Sequence, residues 1–566
     1  MLKKIIRILK RTFFVILILI AAFVIYFIIA VQISEPQIAD RSALEWKRTD
    51  VSSTFYKVKN NWLKKSESGI WELYVEGDGF ERGAANGILT KELHAYQEKA
   101  FVDQIKILVP NLNYLKLLKY FVGYFNRHLP DNIIEEYQQE IYGISQFASD
   151  DYDFIASKYH RILNYHGAHD IGHALQDKNM TVGCTSFSVW DKKSADGKLL
   201  VGRNFDFYSG DDFAKNKIVQ FTNPKTGYKF ATVTWAGFIG AASGMNEKGI
   251  TVTINAAKSS IPTDVATPIA LLAREILQYA KNIKEAIEIA KKRNVFVSES
   301  ILVGSSEDNR TVSIEKTPTD MDVYEVENTS EIICPNHYQG PTLKDQLANL
   351  NNQVESSSLF RQMRLKQLLQ KNDTVSYLTA AKILRDQKGI NDKNIGLGNE
   401  KALNQLIAHH AVIFKPKDGL MWVSANPFQC GKFVCYDLNK VFSQYKNLNE
   451  EKEICETQYT IAEDPFLHTK AYSDFVLFKN LKHFIRSLTK TENGLELSPK
   501  LETAFKESNP ESYYTWQILG DYHKSKKNYD IAIKYYETAL QKEIATLKEK
   551  KEIEEGIAFC KSPDKK

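Results

Sequence analysis

The pattern of apolar and polar positions divides the chain into four kinds of stretch. The first is unbroken: Phe13 to Val31 runs 19 residues without a charge. At 1.5 Å per residue such a helix spans roughly 28 Å, about the thickness of a bilayer core. Residues 13–31 are therefore predicted to cross a membrane. Residues 32–68 are mostly polar, contain Ser34-Glu35-Pro36, and read as a stalk. At Ile70 the period becomes two. Trp71, Leu73 and Val75 predict a strand that enters a glycine-rich turn at Gly77, Gly79 and Gly83. Leu89, Leu93 and Tyr96 then mark a helix, and the pattern stays mainly helical from Gln97 to Phe147.

From Cys184 the character changes again. Thr185–Trp190 and Leu199–Asp206 read as strands joined by a hairpin turn at Asp196-Gly197. Further strands are predicted over Lys217–Phe221, Lys229–Trp235 and Ile250–Ile254. A helix follows, with Thr267 as N-cap, Pro268 at its first position, and Ile269, Leu272, Ile276 and Tyr279 on one face. Strands at Ile301–Gly304 and Thr311–Glu315 precede a helical stretch from Ser358 to Leu369. Late strands lie at Ala411–Phe414 and Met421–Val423. Strands, helices and strands again predict an α+β fold, with two sheets sandwiched between helix layers.

The tail is a separate pattern. Trp516, Leu519, Gly520, Ala532, Tyr536 and Ala539 match the 34-residue tetratricopeptide spacing, with His523 in place of the usual Tyr, and a further helix is read over Lys542–Phe559. One such repeat cannot bury its own face, so it is expected to pack on the main domain or to cap an array that the pattern does not reveal, and a protein partner is a further expectation for this tail. The resulting division is a basic tail (1–12), a transmembrane helix (13–31), a stalk (32–68), a helical pro-region (69–183) and a catalytic unit (184–440). A linker with helices (441–500) and tetratricopeptide-like helices (501–560) complete it.

Composition narrows the function classes. Hydrophobic residues are 43% and charged residues 25% of 566, which excludes disordered and polytopic membrane chains. Lys3, Lys4, Arg7, Lys10 and Arg11 account for the net charge of +5, and without them 69 bases balance 69 acids. The folded part thus carries no electrostatic footprint for nucleic acid. The same cations favour a cytoplasmic N-terminus, which places the rest of the chain on the extracytoplasmic side of a single-pass anchor. A cleaved signal peptide is the alternative, but no Ala-x-Ala site follows. Six scattered cysteines build no disulfide scaffold, and Cys430 with Cys435 lack partners for zinc. His166, His169 and His173 share helical spacing, yet Gly167 and Gly172 argue against a stable helix there. No metal and no cofactor are predicted.

One cysteine stands out by its context. Gly183-Cys184-Thr185 precedes Asp196-Gly-Lys-Leu-Leu-Val-Gly-Arg-Asn-Phe-Asp206, followed by Gly244-Met-Asn-Glu-Lys-Gly249 leading to Asn255. Pro335-Asn336-His337-Tyr338 and Ser358-x-x-Arg361-x-x-Arg364-Leu365 come next. This ordered set, from about Gly69 to Leu438, resembles the N-terminal-nucleophile hydrolases of the penicillin acyltransferase and choloylglycine (bile salt) hydrolase type. The resemblance implies a four-layer αββα sandwich and self-cleavage between Gly183 and Cys184. Scission would leave nucleophile and base on one residue, a thiol beside its own α-amine. It further implies that Asp206 holds the amine and Arg203 sits beside the thiolate. Asn255 and Asn336 would stabilise the oxyanion, and Arg361 (rather than Arg364) would be the active-site arginine. Arg203 and Asp206, three apart, can both face Cys184 only at a bend or strand end.

The implied activity is hydrolysis of a linear amide, with an amphiphilic small molecule as substrate because the anchor holds the site near lipid. Acyl transfer to an amine is the alternative within the class, and a non-catalytic tetratricopeptide scaffold is the alternative outside it. A papain-type Cys184–His337 pair is disfavoured, because no helix signal follows Cys184.

Overall fold

The alternating stretches pair into two sheets. The computed structural model describes residues 2–108, 111, 120, 122–174, 183–258, 265–490 and 495–562. The larger sheet has eleven strands among these residues. Its first four are β1 (Thr49–Asp50), β2 (Phe55–Val58), β3 (Asn61–Lys65) and β4 (Trp71–Gly77). The smaller sheet begins with β5 (Thr185–Asp191) and β6 (Gly197–Phe205). The larger one resumes with β7 (Ile218–Pro224), β8 (Phe230–Thr234), β9 (Ser243–Asn246), β10 (Ile250–Ala256), β11 (Glu299–Ser305), β12 (Arg310–Lys316) and β13 (Met321–Tyr324). Strands β14 (Glu331–Cys334), β15 (His410–Lys415), β16 (Leu420–Ser424) and β17 (Phe433–Asp437) complete the smaller sheet in the order β14-β5-β6-β15-β16-β17.

Side-chain alternation then sets the layers. On β11, Leu302 points between the sheets, where it joins Val219 and Phe221 of one sheet and Val201, Val412 and Phe414 of the other. Its neighbours Ile301 and Val303 point outward onto Leu272 and Ile276 of the helix Ile269–Tyr279. On the far side, Leu200, Ile413 and Trp422 face Leu365 and Leu369 of the helix Ser358–Gln370. The result is four layers, helix–sheet–sheet–helix, each sheet buried on both faces.

Residues 32–68 are not a stalk. They supply β1–β3, with Phe55, Trp62 and Leu63 buried, and β4 then pairs with β7 in parallel from Trp71↔Ile218 to Gly77↔Pro224. The strands are short and rich in Lys and Asn, so polarity masked the alternation at Phe55-Tyr-Lys-Val58 and Trp62-Leu63. The segment preceding Cys184 is thus part of the sheet. The linker and helical region read over 441–500 contains the helix Lys470–Lys490, and the part before it is built into the sandwich: Leu448 and Ile454 join the core between the sheets, and Ile461 pairs with Phe433.

Gly79 and Gly83 lie inside a helix, Gly79–Leu108, rather than in a turn. The carbonyls of Glu136 and Glu140 on the helix Glu135–Ser145 lie 2.3 and 2.1 Å from where their Cβ atoms would stand. Only glycine allows that approach. It brings Arg82 onto Glu140, which Arg274 meets from the helix Ile269–Tyr279, at 2.7 and 2.6 Å with all three side chains fully buried. Burial pushes the Glu140 carboxyl up, but Arg274 and Arg82 outweigh it and hold it below its ordinary value. The helix Lys158–Ala174 runs through Gly167 and Gly172, against the expectation from those glycines. Buried Ile162 and Leu163, and the Ile239 N–H donating to His166 Nε2 at 3.0 Å, override their low propensity. The helix after Thr267 starts one residue later than expected. Pro268 is its N-cap, and the Thr267 hydroxyl donates to the Asn132 carbonyl instead.

Two units flank the sandwich. The helix Leu2–Ala30 already includes the basic residues, and its Lys4–Phe27 portion is long and apolar enough to cross a membrane. At the other end, helices Lys470–Lys490, Pro499–Ser508, Tyr513–Ser525, Tyr529–Leu540 and Leu547–Lys561 pack together. Tyr536 lies against Gly520 and Gly556. Phe475, Phe478 and Leu519 share a core with Leu406 and Cys430, which docks these helices on the sandwich.

Candidate active site

Cys184 directly precedes β5, and β5 pairs with β6 so that Ser186 faces Arg203 in register. β6 ends at Phe205, and the strand end is what lets Arg203 and Asp206 approach the same residue. The Arg203 guanidinium donates to Cys184 Sγ at 3.6 Å. It also donates to the Ile254 carbonyl at 2.5 Å and to Ser243 Oγ at 2.6 Å. Ser243 Oγ in turn contacts His410 Nε2 at 2.9 Å, and His410 Nδ1 contacts His409 Nδ1 at 2.8 Å. Burial holds both imidazoles well below their ordinary pKa, so Arg203 rests on a neutral polar chain.

Burial also decides the state of the sulfur. The thiol is pushed up to about 11, mainly by desolvation, with Arg203 pulling it down and the Asp206 and Glu299 charges pushing it further up. The cation beside it therefore does not suffice to ionise it in the unbroken chain, although an adjacent cation by itself favours thiolate. Asp206 is fully buried, and neither carboxylate oxygen has a hydrogen-bond partner. Desolvation raises it to about 7, against the pull of Arg361 and Arg203. Its backbone carbonyl accepts from the Gly183 N–H at 3.1 Å.

This raised acid has a measurable consequence. The folded chain keeps a proton on Asp206 that the unfolded chain gives up near pH 4, so stability from this group is complete below pH 4 and falls as pH rises to about 7. In a Cys184→Ala background, Asp206→Asn is expected to raise the melting temperature at pH 8 and to leave it nearly unchanged at pH 4. The difference is a few kcal/mol at most, roughly 1.4 for each tenfold change in proton affinity. Melting curves at the two pH values check it, and equal effects at both would refute the assignment.

The remaining predicted residues lie around this centre. Asn255, on β10, accepts from Ser186 Oγ at 2.9 Å and donates to the Cys334 carbonyl at 2.7 Å. Asn336 follows β14, donates to the Ala256 carbonyl at 2.8 Å, and accepts from the Arg361 guanidinium at 2.7 Å. Arg361 is buried and also donates to the Glu400 carbonyl, and its charge acts on Asp206 and Cys184. Arg364 points elsewhere, to Asp386 and Asp392. His337 bonds Ser358 Oγ at 2.8 Å, away from Cys184. His160 bonds the Ile33 backbone, while the side chains of His169 and His173 lie outside the described residues. Among the described residues no cluster of metal-ligating side chains occurs. Ser243, His410, Glu400 and Gln405 were not singled out by sequence. The adjacency of His409 and His410 is a sequence signal for that pair, and the other three residues carry none.

Two cavities meet at Phe207, one residue past Asp206. The smaller, about 40 Å³, is walled by Phe101, Phe213, Trp235 and Phe238. The larger, about 270 Å³, is lined by Ile407, Ala408, Phe428, Phe475 and Val476, with the Lys479–Asp211 ion pair at its rim.

A family model described as acyl-coenzyme A:6-aminopenicillanic acid acyl-transferase matches residues 191–427. A protein of Archaeoglobus fulgidus described as uncharacterized is 27% identical over 267 residues, 43% of this chain and 43% of its own length. The chain spans about half the length of the curated relatives it matches. Among solved structures, the Caenorhabditis elegans N-acylethanolamine-hydrolyzing acid amidase ortholog aligns at 15% identity with a TM-score of 0.32, covering 41% of this chain and 93% of its own. A conjugated bile acid hydrolase from Clostridium perfringens aligns at 14% identity with a TM-score of 0.30, covering 45% and 93%.

Proposed function

We propose that the chain is an N-terminal-nucleophile amide hydrolase that matures by cutting itself between Gly183 and Cys184. The observation that carries this reading is the Asp206 carboxylate, fully buried with no partner, beside a buried cysteine that follows a glycine. Buried charges are normally paired. The hydrogen-bond donor missing in the unbroken chain is the α-amine of residue 184, which scission would create in that place. The amine then serves as base, with Asp206 orienting it. The match over residues 191–427 supports the same class.

In the mature enzyme Cys184 Sγ attacks the amide carbon of the substrate while Arg203 stabilises developing thiolate. Asn255 and Asn336 each carry a second amide N–H for the oxyanion. Arg361 braces Asn336 through its Oδ1. The α-amine protonates the departing amine, and water then hydrolyses the thioester. The cavity of about 270 Å³, with Ile407, Phe428, Phe475 and Val476 on its apolar side and Asp211, Lys215 and Lys479 on its charged side, suits an amphiphilic amide. Lys4–Phe27 anchors the enzyme with its N-terminus in the cytoplasm and the sandwich outside.

A denaturing gel tests the central claim. The wild-type chain is expected to yield segments 1–183 and 184–566, with Cys184 at the new N-terminus by sequencing. A panel of bile-salt, N-acyl amino acid and penicillin V amides then reads hydrolysis, and an added amine acceptor separates transfer from hydrolysis. A wild-type chain that stays whole yet turns over amides would remove the self-cleavage half of the proposal.

A further inference from the structure

Gln405 takes no part in the hydrolytic steps above, yet it touches the bond that must break first. Its Nε2 donates to the Gly183 carbonyl oxygen at 2.8 Å, across 222 positions of sequence, and the side chain is 1% exposed. A Cβ at position 183 would lie 2.4 Å from that nitrogen. On the other side, the Gly183 N–H is held by the Asp206 carbonyl at 3.1 Å. Gly183 is thus pinned at both its donor and its acceptor, with the Cys184 thiol next in the chain. Asn255 and Asn336 donate to other carbonyls, those of Cys334 and Ala256.

We propose that Gln405 is the oxyanion donor for scission of the Gly183–Cys184 bond, a catalytic residue of maturation distinct from the groups that serve the substrate. The inference rests on the self-cleavage reading. Cys184 Sγ attacks the Gly183 carbonyl carbon, the carbonyl oxygen becomes an oxyanion, and Gln405 Nε2 lies within the 2.7–3.1 Å at which such donors act. Collapse breaks the C–N bond. The thiol proton passes to the Cys184 nitrogen, leaving a thioester and a free amine. One water then cleaves the thioester, giving the Gly183 carboxylate and restoring the thiol.

The C-terminal helices aim this donor. Asn404 accepts from the Leu406 N–H at 3.0 Å and donates to Cys430 Sγ at 3.3 Å, which fixes the loop on either side of Gln405. Leu406 adopts φ +54° and is buried in the cluster of Phe475, Phe478 and Leu519. The proposed donor is therefore held by helices far outside the residues that carry the nucleophile.

Full-length wild type, Gln405→Glu, Gln405→Leu and Cys184→Ala decide it, followed by pulse labelling and denaturing gels. Gln405→Glu keeps the size but loses the donor. Both Gln405 variants are expected to lengthen the half-time of scission about 10²- to 10³-fold, the usual loss for one oxyanion donor. Their melting temperatures should match that of unbroken Cys184→Ala. Scission of Gln405→Glu within threefold of wild type overturns the role of Gln405 while leaving self-cleavage intact. Melting of both variants far below Cys184→Ala makes the residue structural and also overturns it. A wild type that stays whole overturns the scission reading and this inference together.

Discussion

Replacing Cys184 by Ala is expected to leave a single unbroken chain and to lower amide turnover by roughly 10⁴-fold or more, the scale of losing a nucleophile. No other thiol can stand in. Cys334 is a cysteine that feels the charge of Cys184, but burial pushes its thiol up to about 12, and it sits on β14 against Ser313. Cys184→Ser should keep a trace of scission, because a hydroxyl attacks less readily than a thiol but occupies the same place between Arg203 and Asp206. Gel mobility and turnover, measured on the same preparation, check both effects. Turnover by Cys184→Ala near the wild-type level would end the proposal of a thioester route.

Glu140→Gln is expected to cost about 3–5 kcal/mol of stability, the range for breaking one partner of a buried ion pair. Glu140 is the shared acid of Arg82 and Arg274, and its replacement leaves two buried guanidinium groups competing for a neutral amide. Arg82 retains Glu136 at 2.7 Å, whereas Arg274 keeps the Ile239 carbonyl and its place over the Tyr137 ring but no second carboxylate among its described ion pairs. The consequence reaches beyond stability. Arg82 and Glu140 precede the Gly183–Cys184 bond and Arg274 follows it, so the triad ties the two prospective segments together. In processed material the variant should release 1–183 at lower urea than wild type, read by size exclusion and gel. Because the Glu140 carboxyl is held below its ordinary value, the wild-type contribution is present at neutral pH and lost as pH falls through the acid range. Unchanged urea midpoints would show that the triad contributes nothing to holding the segments.

Local order made some of this architecture readable. The hairpin of β5 and β6 follows from alternation around Asp196-Gly197, and the helix Ile269–Tyr279 from its apolar stripe. The short β1–β3 did not announce themselves, because Lys57, Asn61, Lys64 and Lys65 gave the polarity of a stalk, although Asn61 and Lys64 are buried. The glycines misled in both directions. Gly79 and Gly83 read as a turn and are a helix–helix contact, while Gly167 and Gly172 read as helix breakers within a continuous helix. A glycine's effect depends on what approaches it, and the approaching carbonyl comes from another element.

The amino-acid order alone determined the period-two and period-3.6 segments, the long apolar run near the start, and the presence of a cysteine after a glycine with Arg203 and Asp206 downstream. Each depends on interactions within a few residues, which a linear pattern records. Only the tertiary structure decided that the segment before Cys184 is built into the sheet, that burial outweighs Arg203 at the thiol, and that Asp206 lies without a partner. It alone brought Gln405 onto the Gly183 carbonyl. Desolvation and contacts across hundreds of positions are set by which faces pack together, and that choice is a property of the whole fold.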